Sequence, residues 1–233
     1  MPDWCCTNYA FIAKKENAGE LLRLKGILKD ILDKGGEVKN DFGNGWLGNV
    51  AMRHGMDWEK VSCRGHFDDL TDGGLYENPN AGDFYFMFRT ETAWGPTKEL
   101  WECVVEKYKG VSFVYTAEEP SNDIFINTDG TGFYFSERFL LDISVDTLPA
   151  KPFPLGWFSL GIDACRIYEY REYFDNFKSL QDYFIKITGK TFNNIEAMQT
   201  HLEDAYEDYA RTYLDGISVE GRACVNIHAF TAV

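Results

Sequence analysis

One stretch, residues 83–117, constrains the fold of this 233-residue chain more than any other. In its first part, DFYFMFRTETA, Phe84, Phe86 and Phe88 stand at alternate positions, which is the period of a β-strand. The Trp-Gly-Pro sequence at 94–96 interrupts this alternation, and a proline with its fixed φ suits a first helical turn. Apolar residues then recur at helical spacing over 100–108, and alternation resumes over 111–115. The stretch therefore predicts strand, helix and strand, in that order.

The same two patterns predict the elements around this unit. Residues 9–13 form an apolar run that predicts a first strand, and residues 61–67 predict another. Between them, leucine and isoleucine at helical spacing predict a helix from about residue 16 to Lys34, ended by two glycines. After the unit, residues 124–127 and 132–142 predict a hairpin about an Asp-Gly turn at 129–130.

This order predicts an α+β fold. The sequence β-α-β-β-α-β favours a ferredoxin-like sandwich, an antiparallel sheet with two helices on one face, to which the hairpin is added. We expect this domain to occupy residues 1–148. Residues 149–233 open with three closely spaced prolines and predict helices at 177–187 and 194–214, then a strand or hairpin over 217–230. We expect a helical extension packed on the same sheet, with a separate small domain as the alternative.

The charge is strongly acidic and unevenly distributed. The chain has a formal net charge of -14 and a pI near 4.7, which argues against a broad basic surface for double-stranded nucleic acid. Residues 1–60 carry nine acidic and nine basic side chains, whereas residues 61–160 carry sixteen and seven. The acidic surface therefore belongs to the middle and C-terminal parts. It is a solvated face that keeps the protein soluble, a patch for a protein partner with a basic surface, or a surface that imitates nucleic acid.

The sharpest acidic cluster lies on the last predicted helix. Glu203 and Glu207 share one helical face, and Asp204 and Asp208 share the neighbouring one. Like charges four residues apart repel by a few tenths of a kcal/mol, which a solvated face tolerates. The alternative is a negative ridge that docks a basic partner.

The sequence gives no reason to assign a cofactor, a metal site or a catalytic residue. Cys63 and His66 have a C-x-x-H spacing, but no second close pair of ligands accompanies them. The six cysteines and four histidines also allow many chance Cys/His pairs, so a nucleophilic pair is a weak hypothesis. We read the cysteines as reduced thiols. With no apolar run as long as a membrane span, we expect a cytoplasmic protein without a membrane partner.

Two short segments suggest a family. The start, MPDWCCTN, resembles the Met-Pro-Asn-Trp-Cys-x-Asn start of the YubB and phage Api-like proteins, with one extra residue before the asparagine. Residues 88–96 resemble the F-x-T-A-W-x-P-P segment of that family, although Thr97 stands where its second proline is expected. The family's Asn-Trp-Gly-Thr-Lys-Trp run is not found here. The resemblance covers roughly residues 1–142. It implies a ferredoxin-like domain in proteins carried by bacterial plasmids, phages and conjugative elements, and it implies no particular biochemical activity.

The turn at Trp94 is the candidate binding site. A turn beside a strand end in such a sandwich can line a cleft at the sheet edge, and a pocket of aromatic and polar character would bind a ligand. The alternative for each tryptophan is a place in the core. The residues we expect at this site are Trp4, Asn8, Arg89, Thr92 and Trp94.

Three functions follow from these observations. The first is a non-enzymatic protein of a mobile genetic element that acts as an acidic protein-interaction module. The second is a module that binds a small ligand or a single nucleic-acid strand through the Trp94 turn. The third is an enzyme of unrecognised type, for which the sequence assembles no cluster of titratable residues.

Overall fold

The structure, a computed structural model, describes residues 3–145, 169–213 and 223–232. The chain forms two compact units: residues 1–135 with 231–233 make the first, and residues 136–230 make the second. Both contain helices and antiparallel sheets, so the α+β prediction is confirmed. The sequence places the division at 148–149, whereas the compact units divide between Phe135 and Ser136.

The strands of the first unit form one antiparallel sheet in which β1 is central. Strand β4 pairs with β1 along its whole length, β5 pairs with the other edge of β1, and β2 and β3 pair with β4. Strand β6 pairs with β5, so the path across the sheet is β2-β4-β1-β5-β6. These strands are β1 (Trp4–Lys14), β2 (Gly65–Asp68), β3 (Tyr76–Asn78), β4 (Asp83–Ala93), β5 (Val111–Glu119) and β6 (Ile124–Asn127).

Three helices accompany this sheet: α1 (Ala18–Lys34), α2 (Leu47–Arg53) and α3 (Lys98–Val105). Helix α1 forms because leucine and isoleucine fall on one face, and it ends where Gly35 takes a φ of 70° and donates to the carbonyl of Ile31 at 2.7 Å. The predicted first helix and the predicted strand-helix-strand unit are therefore confirmed. Helix α3 ends at Val105, a few residues before the apolar pattern ends.

The core of the first unit lies between one face of the sheet and the helices α1 and α3. Tyr9 and Phe11 of β1 face it together with Phe88 of β4, and the ring of Trp101 on α3 lies 4.8 Å from that of Phe88. Leu28 of α1 is fully buried in the same cluster. Burying a side chain of this size stabilises the fold by about 1.5–3 kcal/mol, and truncating it to alanine costs about 2–5 kcal/mol.

The predicted hairpin over 124–142 is wrong. Strand β6 pairs with β5, whereas β7 (Phe139–Val145) pairs with two strands of the second unit. The reason is the side chain of Asp129, whose carboxylate accepts hydrogen bonds from the backbone N–H groups of Thr131, Gly132, Tyr134 and Phe135. These donors bind a side chain instead of a partner strand, so the Asp-Gly sequence makes a compact loop.

The second unit has its own sheet and core. In its described residues, the sheet has the order β8-β7-β9, with β8 at Glu169–Phe174 and β9 at Ala223–Ala229, and the helices are α4 (Phe177–Thr188) and α5 (Ile195–Tyr213). Leu141, Phe184 and Met198 are fully buried in this core. Both helices agree with the prediction, β8 was not predicted, and the proline-rich stretch at 149–154 lies outside the described residues. The packing of residues 149–233 on the first sheet stays a prediction.

Candidate functional site

The backbone at Trp94 has an unusual conformation that the surrounding residues hold in place. Trp94 has a φ of 66°, in the left-handed region where a bulky side chain is a genuine outlier. Its N–H donates to the carbonyl of Asp3 at 2.9 Å, and the preceding N–H donates to the carbonyl of Arg64 at 3.0 Å. The hydroxyl of Thr92 donates to the carbonyl of Gly95 at 2.7 Å. Strain held by several hydrogen bonds in this way is characteristic of functional sites.

The indole of Trp94 is presented outward. It is 55% exposed, and the guanidinium of Arg64 lies over one face of its ring, 4.8 Å from the centroid. Such a cation–π pair at an exposed site contributes about 0.5–1 kcal/mol. Arg64 makes no ion pair within the part of the chain that the structure describes. The turn therefore presents an aromatic ring beside an arginine that has no carboxylate partner among the described residues.

The structure brings three of the five predicted binding residues onto one sheet face. Asn8 lies directly opposite Arg89 in the register of β1 and β4, and alternation places Trp4 on the same face as Asn8. We call this the second face, since the other face carries the core with α1 and α3. Thr92 lies on the core side and is fully buried, where it shapes the turn. Trp94 follows the last residue of β4, and because Thr92 points to the core, the five side chains do not share one face.

The second face carries a polar network centred on Arg89. Its guanidinium donates to Sγ of Cys6 at 3.5 Å and forms an ion pair with Glu91. On β2, Nε2 of His66 lies 3.6 Å from Oδ2 of Asp68. Burial raises the pKa of Asp68. These side chains give the face charged groups of both signs.

The network does not form a nucleophile and base pair. In the register, Cys6 lies opposite Glu91, and Glu91 lies opposite His66, so two strand spacings, about 9–10 Å, separate Cys6 from His66. Cys63 belongs to the core, and burial raises the pKa of its thiol to about 11. Its carbonyl accepts a hydrogen bond from the indole of Trp46 at 2.9 Å. The structure therefore does not bring the Cys63–His66 pair together.

Sequence reasoning missed two residues that adjoin the predicted site, Phe42 and Arg64. The ring of Phe42 lies 6.1 Å from that of Trp4 and 6.4 Å from that of His66, which extends the aromatic surface of the second face. Phe42 comes from a turn-rich loop, and Arg64 precedes a short strand. Their positions beside the tryptophans depend on strand register, which no local pattern encodes.

The acidic residues of α5 are exposed where their side chains are described. Glu203, Asp204 and Glu207 all face solvent, and Glu203 accepts a hydrogen bond from Gln199 at 2.8 Å. Asp208 belongs to the helix, but its side chain lies outside the described residues.

A shallow cavity of about 290 Å³ lies between α3 and β5. Its lining includes Lys98, Glu102, Phe113 and Tyr115, and none of the predicted site residues contributes to it. The Trp94 turn is thus a surface feature separate from this cavity.

Comparisons with known proteins found no relative of this chain. No protein-family model, curated protein or solved structure matches the chain. Within the described ranges, no group of three or more histidine, cysteine, aspartate or glutamate side chains has an arrangement that could hold a metal ion. No helix in those ranges is long and apolar enough to cross a membrane.

Proposed function

We propose that the protein is a non-enzymatic protein-interaction module whose acidic surface binds a partner with a basic surface. The observation that carries the proposal is the exposed acidic side of α5. Residues 195–210 contain five acidic residues and neither lysine nor arginine. The helix tolerates the mutual repulsion of Glu203 and Glu207, which costs a few tenths of a kcal/mol. A basic partner would relieve that repulsion.

An interface of this kind depends on salt. Charges on exposed side chains attract a partner over about 10 Å at 0.1 M salt and over a much shorter range at 1 M. Electrostatic attraction acts mainly on the rate of association and on the choice of partner. We therefore expect a complex that forms readily at low salt and weakens as salt is added.

Affinity capture from a bacterial lysate, at low and high salt with identification by mass spectrometry, tests the proposal when two variants are compared. The first replaces the exposed acids of α5 with amides: Glu196→Gln, Glu203→Gln, Asp204→Asn and Glu207→Gln. The matched control makes the same charge change at exposed acids of the first unit: Glu37→Gln, Asp41→Asn, Glu59→Gln and Glu106→Gln. We expect a salt-sensitive partner that the first variant loses and the control retains. Equal retention by both, or binding that salt does not change, would refute the proposal.

We also propose a fold family and an origin for the protein. We assign the first unit to the ferredoxin-like sandwiches, and the support is the antiparallel order β5-β1-β4-β2 together with α1 and α3 packed into one core. A bacterial mobile element is the proposed source, on the strength of the two segments that resemble the YubB and Api-like proteins. A cytoplasmic location fits the four cysteines whose side chains are described, all of them free thiols.

A second candidate function is the binding of a small ligand or a single strand at the Trp94 turn. The observation that favours it is an exposed tryptophan held at a φ of 66°. Glycine would adopt this backbone without strain, so the indole is retained at a cost of about 1–2 kcal/mol. A ligand screen that compares the wild type with Trp94→Gly tests this candidate, and compounds that bind both proteins equally would refute it.

A further inference from the structure

The side chains at the Trp94 turn indicate which class of ligand could bind there. We infer that Trp94 and Arg64 bind a small molecule that carries a planar ring and an anionic group separated by a spacer, the chemistry of a nucleoside monophosphate. This inference rests on the second candidate function and names its ligand class.

The planar ring follows from the indole. One face of the Trp94 ring is covered by the guanidinium of Arg64, and the side chain is still 55% exposed. An open aromatic face binds another ring by offset stacking, and nucleobases stack on it whatever their sequence. The hydrogen bonds that hold the turn mean that the indole is positioned before the ligand arrives, which lowers the entropy lost on binding.

The anionic group follows from Arg64. Acidic side chains outnumber basic ones in this protein by 37 to 23, yet Arg64 is exposed and makes no ion pair within the described ranges. A guanidinium presents a fork of donors that matches a phosphate or a carboxylate. An arginine beside an open aromatic ring is therefore available to a ligand anion.

The spacer follows from the geometry of the pair. The guanidinium lies 4.8 Å from the ring centroid on one side, and a stacked ligand ring would lie about 3.5–4 Å away on the other, so the ligand ring and the guanidinium would be roughly 8 Å apart. An anion that contacts the guanidinium must therefore be joined to the ring through a spacer. The ribose of a nucleoside monophosphate supplies this reach. Benzoate, whose carboxylate is attached directly to its ring, does not.

Two sources could provide this chemistry, a free nucleotide and the end of a nucleic-acid strand. The net charge of -14 repels a polyanion more than a single phosphate. The free nucleotide is therefore the expected ligand.

The test is titration of the intact, ¹⁵N-labelled protein with AMP, followed by the indole N–H signal of Trp94. That signal is assigned by its loss in Trp94→Gly, a substitution that keeps the turn because glycine adopts its backbone freely. Adenosine, inorganic phosphate, benzoate and a single-stranded oligothymidylate are titrated in parallel. We expect AMP to shift the Trp94 signal at millimolar concentration or below, and each of the others to bind more weakly.

Variants then divide the site into its two parts. Loss of the stacked indole in Trp94→Gly should weaken AMP binding roughly 5- to 150-fold, which is the factor that stacking of one base on an aromatic side chain contributes. Arg64→Gln should weaken the binding of AMP several-fold and leave the binding of adenosine unchanged. Arg64→Lys should keep part of the preference for AMP over adenosine. Tyr76→Ala, which removes another exposed aromatic ring, and Arg53→Gln, which removes another exposed arginine, are the matched controls and should change nothing.

The outcomes separate this inference from the function on which it rests. Equal binding of AMP and adenosine, or tighter binding of the oligothymidylate, overturns the proposed ligand class and leaves the Trp94 site standing. The same holds if AMP fails and another compound of the ligand screen shifts the Trp94 signal. If no compound shifts it, the inference and the second candidate function both fail.

Discussion

Replacing Asp129 should destabilise the first unit more than the loss of any exposed carboxylate. Asp129 is only 2% exposed, and its carboxylate accepts five hydrogen bonds: one from the hydroxyl of Thr131 and four from backbone N–H groups. In Asp129→Ala, the N–H groups of Tyr134 and Phe135 lose the partner that lies 2.7 and 3.0 Å away. Each buried donor left unpaired costs about 1–3 kcal/mol, so we expect a loss of about 4 kcal/mol in the free energy of unfolding.

Urea unfolding followed by tryptophan fluorescence measures this loss. Of the six tryptophans, five lie in the first unit, so the signal reports mainly on the unit that contains the loop. Asp129→Asn keeps one acceptor oxygen without the charge and should lose about half as much. Glu59→Ala, which removes an exposed carboxylate of the same unit, is the control and should change stability by less than about 0.5 kcal/mol. A loss within about 1 kcal/mol of that control would refute the role assigned to Asp129.

Acid should remove the same contribution. Burial alone would raise the pKa of Asp129, but the hydrogen bonds from Thr131, Phe135 and Tyr134 outweigh it, and the folded-state pKa lies below the ordinary value of 3.8. The stabilisation is therefore complete above the unfolded-state pKa and is lost as the pH falls through the folded-state pKa. The difference in stability between the wild type and Asp129→Asn should shrink as the pH falls below about 4. A difference that stays constant down to the acid transition would contradict this account.

Three further predictions concern other parts of the chain. Burial lowers the pKa of His54, whose ring forms a hydrogen bond with the hydroxyl of Tyr108 at 2.9 Å. The contribution of His54 to stability should therefore be complete above the ordinary pKa of 6.5 and decline as the pH falls below it. An NMR titration of the ring with a midpoint at or above 6.5 would contradict this. Gly26 lies within α1, with open space where a methyl group would project. Gly26→Ala should therefore stabilise the first unit by about 0.5–1 kcal/mol in urea unfolding, and a loss of stability would contradict this prediction. Asn176 caps the start of α4, where its side chain accepts a hydrogen bond from the N–H of Ser179 at 2.9 Å. Asn176→Ala should therefore cost about 1 kcal/mol of the second unit's stability in unfolding followed by circular dichroism, and an unchanged unfolding midpoint would contradict the capping role.

The elements that the sequence predicted well are those whose pattern is long and local. Strand β4 alternates phenylalanine with other residues over 84–88, and α1 repeats its apolar residues over several turns, so each pattern indicates one kind of element. The hairpin prediction at Asp129 failed because a side chain took the donors that a hairpin would have used. Strand β8 was missed because its sequence, EYREYF, does not alternate apolar and polar residues.

The candidate site was predictable only in part, because its geometry depends on contacts between residues that are distant in the sequence. Trp94 and Pro96 mark a turn in the sequence, and the structure has a turn there. The φ of Trp94 and the cation beside it depend on the hydrogen bond to Asp3 and on the register that places Arg64 next to the end of β4. Closeness in the sequence did not place Thr92 correctly. It lies two residues from Trp94, but the alternation of the strand points its side chain to the core face.

The central position of β1 has a consequence for how the protein is made. Lys14 pairs with Asp83, sixty-nine positions later, and both neighbours of β1 in the sheet leave the ribosome after it. At about 5–20 residues per second, the apolar strand waits roughly 3–14 seconds for the start of its first long partner. Contacts so distant along the chain also slow folding after synthesis is complete. During translation, β1 is therefore an apolar segment without either of its sheet neighbours until β4 has been synthesised.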